Sequence, residues 1–101
     1  MVKKIVWTKT AQKQFDDIVD YIETEWSEKI AAKFTNRVND FFGLLQLYPE
    51  VGSIEVKKKR IKGFLLTKQV RLFYRIKGQN IILLSFFDTR LSHSKKLRRY
   101  K

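Results

Sequence analysis

The feature that most constrains this chain is a change in the spacing of its apolar residues near Gly52. Upstream, they fall at Ala11, Phe15, Ile18, Val19, Ile22 and Trp26, and again at Ala31, Phe34, Val38, Phe41, Phe42 and Leu45. Steps of three and four keep each set on one face of a helix with about 3.6 residues per turn. Downstream, Val, Ile, Phe, Leu and Tyr recur in short runs with a period of two, the spacing of strands. With 101 residues there is room for one domain, so the helices must find their apolar partner in the strands of the same chain.

Local signals place the boundaries. Lys3-Lys-Ile-Val-Trp7 reads as a short strand, followed by Thr8 and Thr10 as helix N-cap candidates. Asp16, Asp17, Asp20 and Glu23 lie mostly off the first stripe. Ser27 followed by Glu28 reads as a second N-cap with an acid in the first turn, where the helix dipole favours it. Pro49 and Gly52 end the second helix. The short join at residues 25–27 makes the pair an antiparallel helical hairpin.

Three strands are expected after Gly52: Arg60 to Leu66, Val70 to Ile76, and Ile81 to Phe87, with Lys77-Gly-Gln-Asn80 as a turn. The third is apolar on both faces and reads as an interior strand of an antiparallel sheet. A tight turn around Thr67-Lys68 pairs Phe64 with Arg71, Lys62 with Phe73 and Arg60 with Arg75. A turn centred on Gly78-Gln79 sets Phe86 opposite Arg71 and Ile82 opposite Arg75, with Asp88 and Arg90 continuing that face. One face of the sheet is then apolar and covered by the hairpin, with Tyr74 on it. The other is aromatic and basic. The segment Leu91 to Lys101 reads as a short final helix or a frayed tail.

Charge separates along the chain as sharply as periodicity does. Residues 1–50 carry seven Lys/Arg against eight acids, and residues 51–101 carry fifteen against two, Glu55 and Asp88. The whole chain has a formal net charge of +12, made up of −1 in the first half and +13 in the second. Such self-repulsion is usually offset by a polyanion or an acidic partner, nucleic acid being the first candidate; a generally basic, soluble surface is the bland alternative. Eight Phe, four Tyr and two Trp supply a core without staples. The absence of Cys and the single His exclude a disulfide framework, thiolate chemistry and nearly every zinc site built from those residues. No apolar run approaches the ~20 residues of a membrane span and Met1-Val-Lys-Lys lacks a signal peptide's apolar stretch, so a cytoplasmic protein with no membrane partner is expected.

There is no Gly-rich phosphate loop and no pair of carboxylates on a common strand. His93 has no partner pattern for nucleophilic catalysis, and a surface position competes with any catalytic role. What remains is a cationic site that needs no metal or cofactor. RNA cleavage by 2′-hydroxyl attack requires cations around the developing phosphorane, a base for the 2′ proton and an acid for the leaving oxygen. Arg and Lys on a sheet face meet the first need, and a Lys crowded by other cations has its pKa lowered toward use as a base. Lys57, Lys58, Lys59, Arg60 and Lys62 form such a crowd; the competing reading is a solvated loop that only attracts polyanions.

The order of a short strand, a helical hairpin ending in Leu47-Tyr-Pro49…Gly52, a Lys-rich stretch, Arg71-Leu-Phe-Tyr-Arg75 and Ile81-Ile-Leu-Leu-Ser-Phe-Phe-Asp-Thr-Arg90 resembles the RelE/ParE superfamily of type II toxin–antitoxin toxins. The resemblance covers essentially the whole chain. It implies an α+β domain with an N-terminal strand and a helical hairpin packed on a small twisted antiparallel sheet. It also implies a growth-inhibiting protein held inactive by a cognate antitoxin. RelE-like members cut mRNA in the ribosomal A site with basic sheet residues, whereas ParE-like members share the fold, lack that site and inhibit DNA gyrase. The first activity is the leading expectation, with ribosome and mRNA as partners, and gyrase inhibition without chemistry is the alternative. A basic RNA- or DNA-binding domain without toxicity is a third.

Carried over residue by residue, the resemblance gives Arg71 and Arg90 as transition-state cations and one of Lys57, Lys59, Arg60 or Lys62 as the basic residue of the region before the central strand, with Lys62 taken as the catalytic candidate and His93 and Tyr100 as proton-transfer candidates. Lys57, Lys58, Lys59, Arg60, Arg75, Lys95, Lys96, Arg98 and Arg99 are candidate RNA contacts. Arg71 has a competing role as an ion-pair partner of Asp88. The antitoxin is expected to be acidic and to fold on binding, either in a groove beside the hairpin where Trp26 and Phe42 leave apolar area exposed, or on the sheet face by displacing residues 91–101.

Overall fold

The computed structural model describes residues 2–91. The expectations placed on residues 92–101, including His93, Lys95, Lys96, Arg98, Arg99 and Tyr100, lie outside those residues. In chain order the elements are β1 (Lys4–Trp7), α1 (Lys9–Glu25), α2 (Glu28–Leu47), a 3₁₀ turn (Pro49–Val51), β2 (Ser53–Val56), β3 (Ile61–Leu65), β4 (Val70–Lys77) and β5 (Asn80–Asp88).

Of the two cap candidates Thr8 is the one used: its hydroxyl oxygen accepts from the Ala11 N–H at 3.1 Å and donates to the Leu83 carbonyl at 2.7 Å. A single side chain thus starts α1 and ties it to β5. Ser27 caps α2 in the same way through the Ile30 N–H at 3.1 Å, with Glu28 in the first turn. The buried residues of the two helices are Ala11, Ile18 and Ile22, then Ala31, Phe34, Val38, Phe41 and Leu45, the centre of each sequence stripe. Against them the sheet buries Val70, Leu72 and Tyr74 of β4 with Ile81, Leu83 and Phe86 of β5.

The five strands are ordered β1-β5-β4-β3-β2. The α+β class is as expected, but the sheet is mixed, since β1 lies parallel to β5 while every other pair is antiparallel. A parallel neighbour requires a long crossover, and the helical hairpin supplies it. Strand β2 was not anticipated: it has four residues, all exposed, and so carries no burial alternation for the sequence to display.

Strand register also departs from expectation, with consequences for the site. Strand β3 pairs with β4 one residue away from the predicted match: Leu65 faces Arg71, Gly63 faces Phe73, and Lys62 faces Tyr74. Because side chains alternate, that single step moves Lys62 and Phe64 to the helix side, where Phe64 stacks on Phe41 at 4.1 Å between ring centroids. Between β4 and β5, Arg75 faces Ile82 as expected, but a bulge at Leu84 shifts the rest so that Arg71 faces Phe87. One extra residue reverses the alternation, which turns Phe86 and Asp88 inward. Asp88 is accordingly only 3% exposed rather than part of the open face.

The 3₁₀ turn after α2 is held to β4 by one phenol. The Tyr74 hydroxyl donates to the Pro49 carbonyl and accepts from the Gly52 N–H, both at 2.9 Å. This is a core role, and burial pushes its pKa above the ordinary phenol value despite the Gly52 hydrogen bond.

Candidate functional site

The face of the sheet turned away from the helices presents Arg71, Phe73 and Arg75 of β4, with Ile61, Gly63 and Leu65 of β3 and Ile82, Ser85 and Phe87 of β5 in register beside them. Leu65 and Phe87 are about half exposed. Lysine is absent from these positions, so the face is aromatic, aliphatic and arginine-bearing. The Arg71 guanidinium lies 2.5 Å from Oε1 of Glu55, which reaches over from β2. Gly63 makes this reach possible: a Cβ there would stand 2.4 Å from that same carboxylate oxygen. At Arg75 the Nε is buried and has no hydrogen-bond partner.

Of the five sequence candidates for catalysis, the three within the described residues, Lys62, Arg71 and Arg90, are not brought together. Lys62 lies on the helix side with its ammonium 2.9 Å from Oε2 of Glu50. Arg90 follows β5 and grips Asp88 at two points, Nε to Oδ1 at 3.0 Å and the terminal nitrogen to Oδ2 at 2.7 Å, while the Arg90 N–H also donates to Oδ1. Donating to the Asp88 carboxylate raises the already high pKa of the Arg90 guanidinium further. Its charge also sits 5.3 Å from the centre of the Tyr21 ring on α1. Arg71 alone of the three belongs to the open face, and it pairs with Glu55 rather than with Asp88.

Glu50 and Glu55 were not singled out by sequence reasoning, and Asp88, expected as a partner of Arg71, pairs with Arg90 instead. A signal existed: Glu55 and Asp88 are the two acids of a half that carries fifteen cations, and each holds one of the candidate arginines. Lys57, Lys58, Lys59 and Arg60 form the exposed turn between β2 and β3.

A second surface lies where the hairpin meets the β3–β4 turn. Ile22, Trp26, Ile30 and Phe34 line a groove of about 370 Å³ whose rim carries Lys33, Arg37 and Arg90. Trp26 is 59% exposed. Phe42, expected beside it, is instead partly buried and packs edge-on against Trp7. Arg37 donates to the Leu66 carbonyl, which fixes the turn to α2.

The family model for the ParE toxin of the type II toxin–antitoxin system parDE matches residues 5–91. The chain belongs to the ParE toxin family. No curated protein matches it in sequence. Among solved structures, the chromosomal ParDE system of Pseudomonas aeruginosa is similar at 18% identity with a TM-score of 0.71, over 86% of this chain and 96% of that one. The RelBE2 toxin–antitoxin complex of Mycobacterium tuberculosis gives 20% identity and 0.61 over 87% and 99%. A YoeB/ParE toxin from Agrobacterium tumefaciens gives 17% and 0.60 over 84% and 96%. At these identities the neighbours establish the shared fold, and the family match establishes a type II toxin. Among the described residues of this ParE-family toxin, no helix is long and apolar enough to cross a membrane and no group of acids or histidine could hold a metal ion.

Proposed function

We propose that this toxin inhibits growth by docking its open sheet face on a protein target, with DNA gyrase as the target that ParE-like function implies, rather than by cutting RNA. The observation that carries the reading is the dispersal of the candidate catalytic cations. Lys62, Arg71 and Arg90 occupy separate places, each facing a carboxylate of its own chain. Stabilising a phosphorane requires preorganised positive charge converging on one point. The open face instead offers Phe73, Phe87 and Leu65 beside Arg71 and Arg75, a mixture enriched at the centres of protein interfaces, where lysine is depleted.

One observation favours RNA cleavage as a second reading. Glu55 and Arg71 place a carboxylate and a guanidinium side by side on the open face, a pairing able to supply a base and a cation. The two readings part in a paired assay: supercoiling by purified gyrase, and mRNA integrity in a translating extract. The expected result is blocked supercoiling with intact mRNA. Phe87→Ser, at an exposed position, should weaken inhibition by about tenfold or more, the scale of a hot-spot loss above ~1.4 kcal/mol. Cut mRNA with unaffected gyrase overturns the docking reading.

A toxin of this class is controlled by an antitoxin, and we place the antitoxin segment in the groove beside Trp26. Its apolar floor and three rim cations suit an amphipathic acidic segment that folds on contact.

A further inference from the structure

Another cavity lies beyond the end of α2, mostly on the helix side of the sheet, with Ile61 at the edge of the open face in its lining. Its volume is about 340 Å³, at the lower end of the usual range for small-molecule sites. Ile54 of β2 and Ile76 of β4 form apolar walls, and Lys57, Arg60 and Lys62 bring three cations to it. Glu50 is the single carboxylate in the lining, which leaves the cavity two charges positive. It already holds an anion, because the Glu50 carboxylate lies 2.9 Å from the Lys62 ammonium. Their exposures differ: the Lys62 side chain is 16% exposed and that of Glu50 is 76%. The cation is therefore part of the wall, whereas the carboxylate is mounted from the solvent side and can swing away.

Arg60 gives the cavity its second distinctive feature. It is the one non-glycine residue with positive φ among the described residues, at 56°, and its N–H donates to the Lys57 carbonyl at 3.2 Å. A β2–β3 turn that keeps an arginine in the left-handed region holds a conformation that glycine would adopt at lower cost. The guanidinium is what that residue adds. Its planar fork matches the oxygens of a phosphate at two points, and Lys57 and Lys62 add point charges around the same space.

We propose that this cavity binds a small phosphate ester with an apolar or aromatic body, of which a nucleoside monophosphate is the simplest case. The phosphate takes the position of the Glu50 carboxylate against Lys62, Arg60 closes on it from the turn, and the body lies between Ile54 and Ile76. The site shares only Ile61 with the edge of the open sheet face and nothing with the Trp26 groove, so it stands whether or not the docking reading does.

The test is calorimetric titration of the full-length chain with thymidine 5′-monophosphate at physiological salt, alongside thymidine and inorganic phosphate. The nucleotide should bind one-to-one and at least about tenfold tighter than either fragment, since each fragment forfeits one half of the recognition. Arg60→Gly preserves the turn and removes the fork, and should weaken binding by about tenfold; Lys57→Gln should weaken it by a smaller factor. Glu50→Gln removes the competing carboxylate and should tighten binding several-fold. Phe87→Ser on the opposite face should leave it unchanged. Equal affinity for nucleotide and inorganic phosphate, or an Arg60→Gly variant that binds like the parent, overturns the proposal. So does a loss in Phe87→Ser as large as that in Arg60→Gly.

Discussion

The Tyr74 hydroxyl fills the space that a side chain on Gly52 would need: an ideal Cβ there would lie 2.6 Å from that oxygen and 2.9 Å from the Gly63 carbonyl. The backbone at Gly52 is ordinary, with φ −74°, so glycine serves close approach here and not an unusual dihedral. Gly52→Ala should therefore destabilise the fold by about 1–3 kcal/mol, the usual cost of forcing atoms into filled space. In urea unfolding the midpoint should fall with little change in slope. Gly43→Ala is the control: it lies in α2 with nothing within 4 Å of a new Cβ and should stabilise by about 0.5–1 kcal/mol.

Tyr74→Phe should cost about 1–3 kcal/mol at neutral pH, because it leaves the Gly52 N–H and the Pro49 carbonyl without their partner. The loss should depend on pH in a defined direction. Burial raises the folded-state pKa of this phenol above the ordinary 10.0, so on the way up in pH the unfolded phenol ionises first. The unfolded state then binds fewer protons, and the stabilisation, complete below about pH 10, fades as pH rises through the folded value. The gap in unfolding free energy between parent and Tyr74→Phe should narrow above pH 10.

Arg90→Ala should unfold the protein more than it disarms it. The Asp88 side chain is fully buried and Arg90 engages both of its oxygens, so removing the cation leaves a buried charge uncompensated. Loss of one partner of such a pair costs about 3–5 kcal/mol. This differs from the expectation that Arg90 acts only on transition-state charge. Thermal melts should show a large drop in Tm, and Asp88→Asn added to Arg90→Ala should recover part of it.

Arg71→Ala should behave in the opposite way. Its pair with Glu55 is partly solvent-exposed, at 39% and 30%, and pairs of that kind contribute about 0–1 kcal/mol to stability. Melting should barely move while growth inhibition falls, because Arg71 stands between Leu65 and Phe87 on the proposed docking face. A large Tm shift would assign Arg71 to the scaffold instead.

Association with the antitoxin should slow markedly between low and physiological salt, with a smaller change in dissociation, since charge complementarity acts mainly on encounter. Trp26→Ala should do the reverse and speed dissociation, because the half-exposed indole supplies contact area rather than charge. Stopped-flow mixing of toxin and antitoxin at two salt concentrations separates the two. An association rate independent of ionic strength would remove the electrostatic part of the argument.

The sequence by itself determined the elements that announce themselves locally. The two helical stripes, the Thr8 and Ser27 caps, the hairpin join and the three long strands all follow from spacing within a dozen residues, and the packed core comes out as those stripes facing the alternate residues of β4 and β5. Membership of the toxin superfamily was legible for the same reason, since it rests on the order of those segments. Tertiary structure alone decided which side chains share a face. A register step of one residue carried Lys62 away from Arg71, and the bulge at Leu84 turned Asp88 inward to meet Arg90. Neither leaves a local trace, because alternation has a period of two and a single inserted or slipped residue inverts every assignment beyond it. The strand β2, short and exposed, then supplied the Glu55 that claims Arg71, a pairing set by sheet order and by the missing side chain at Gly63.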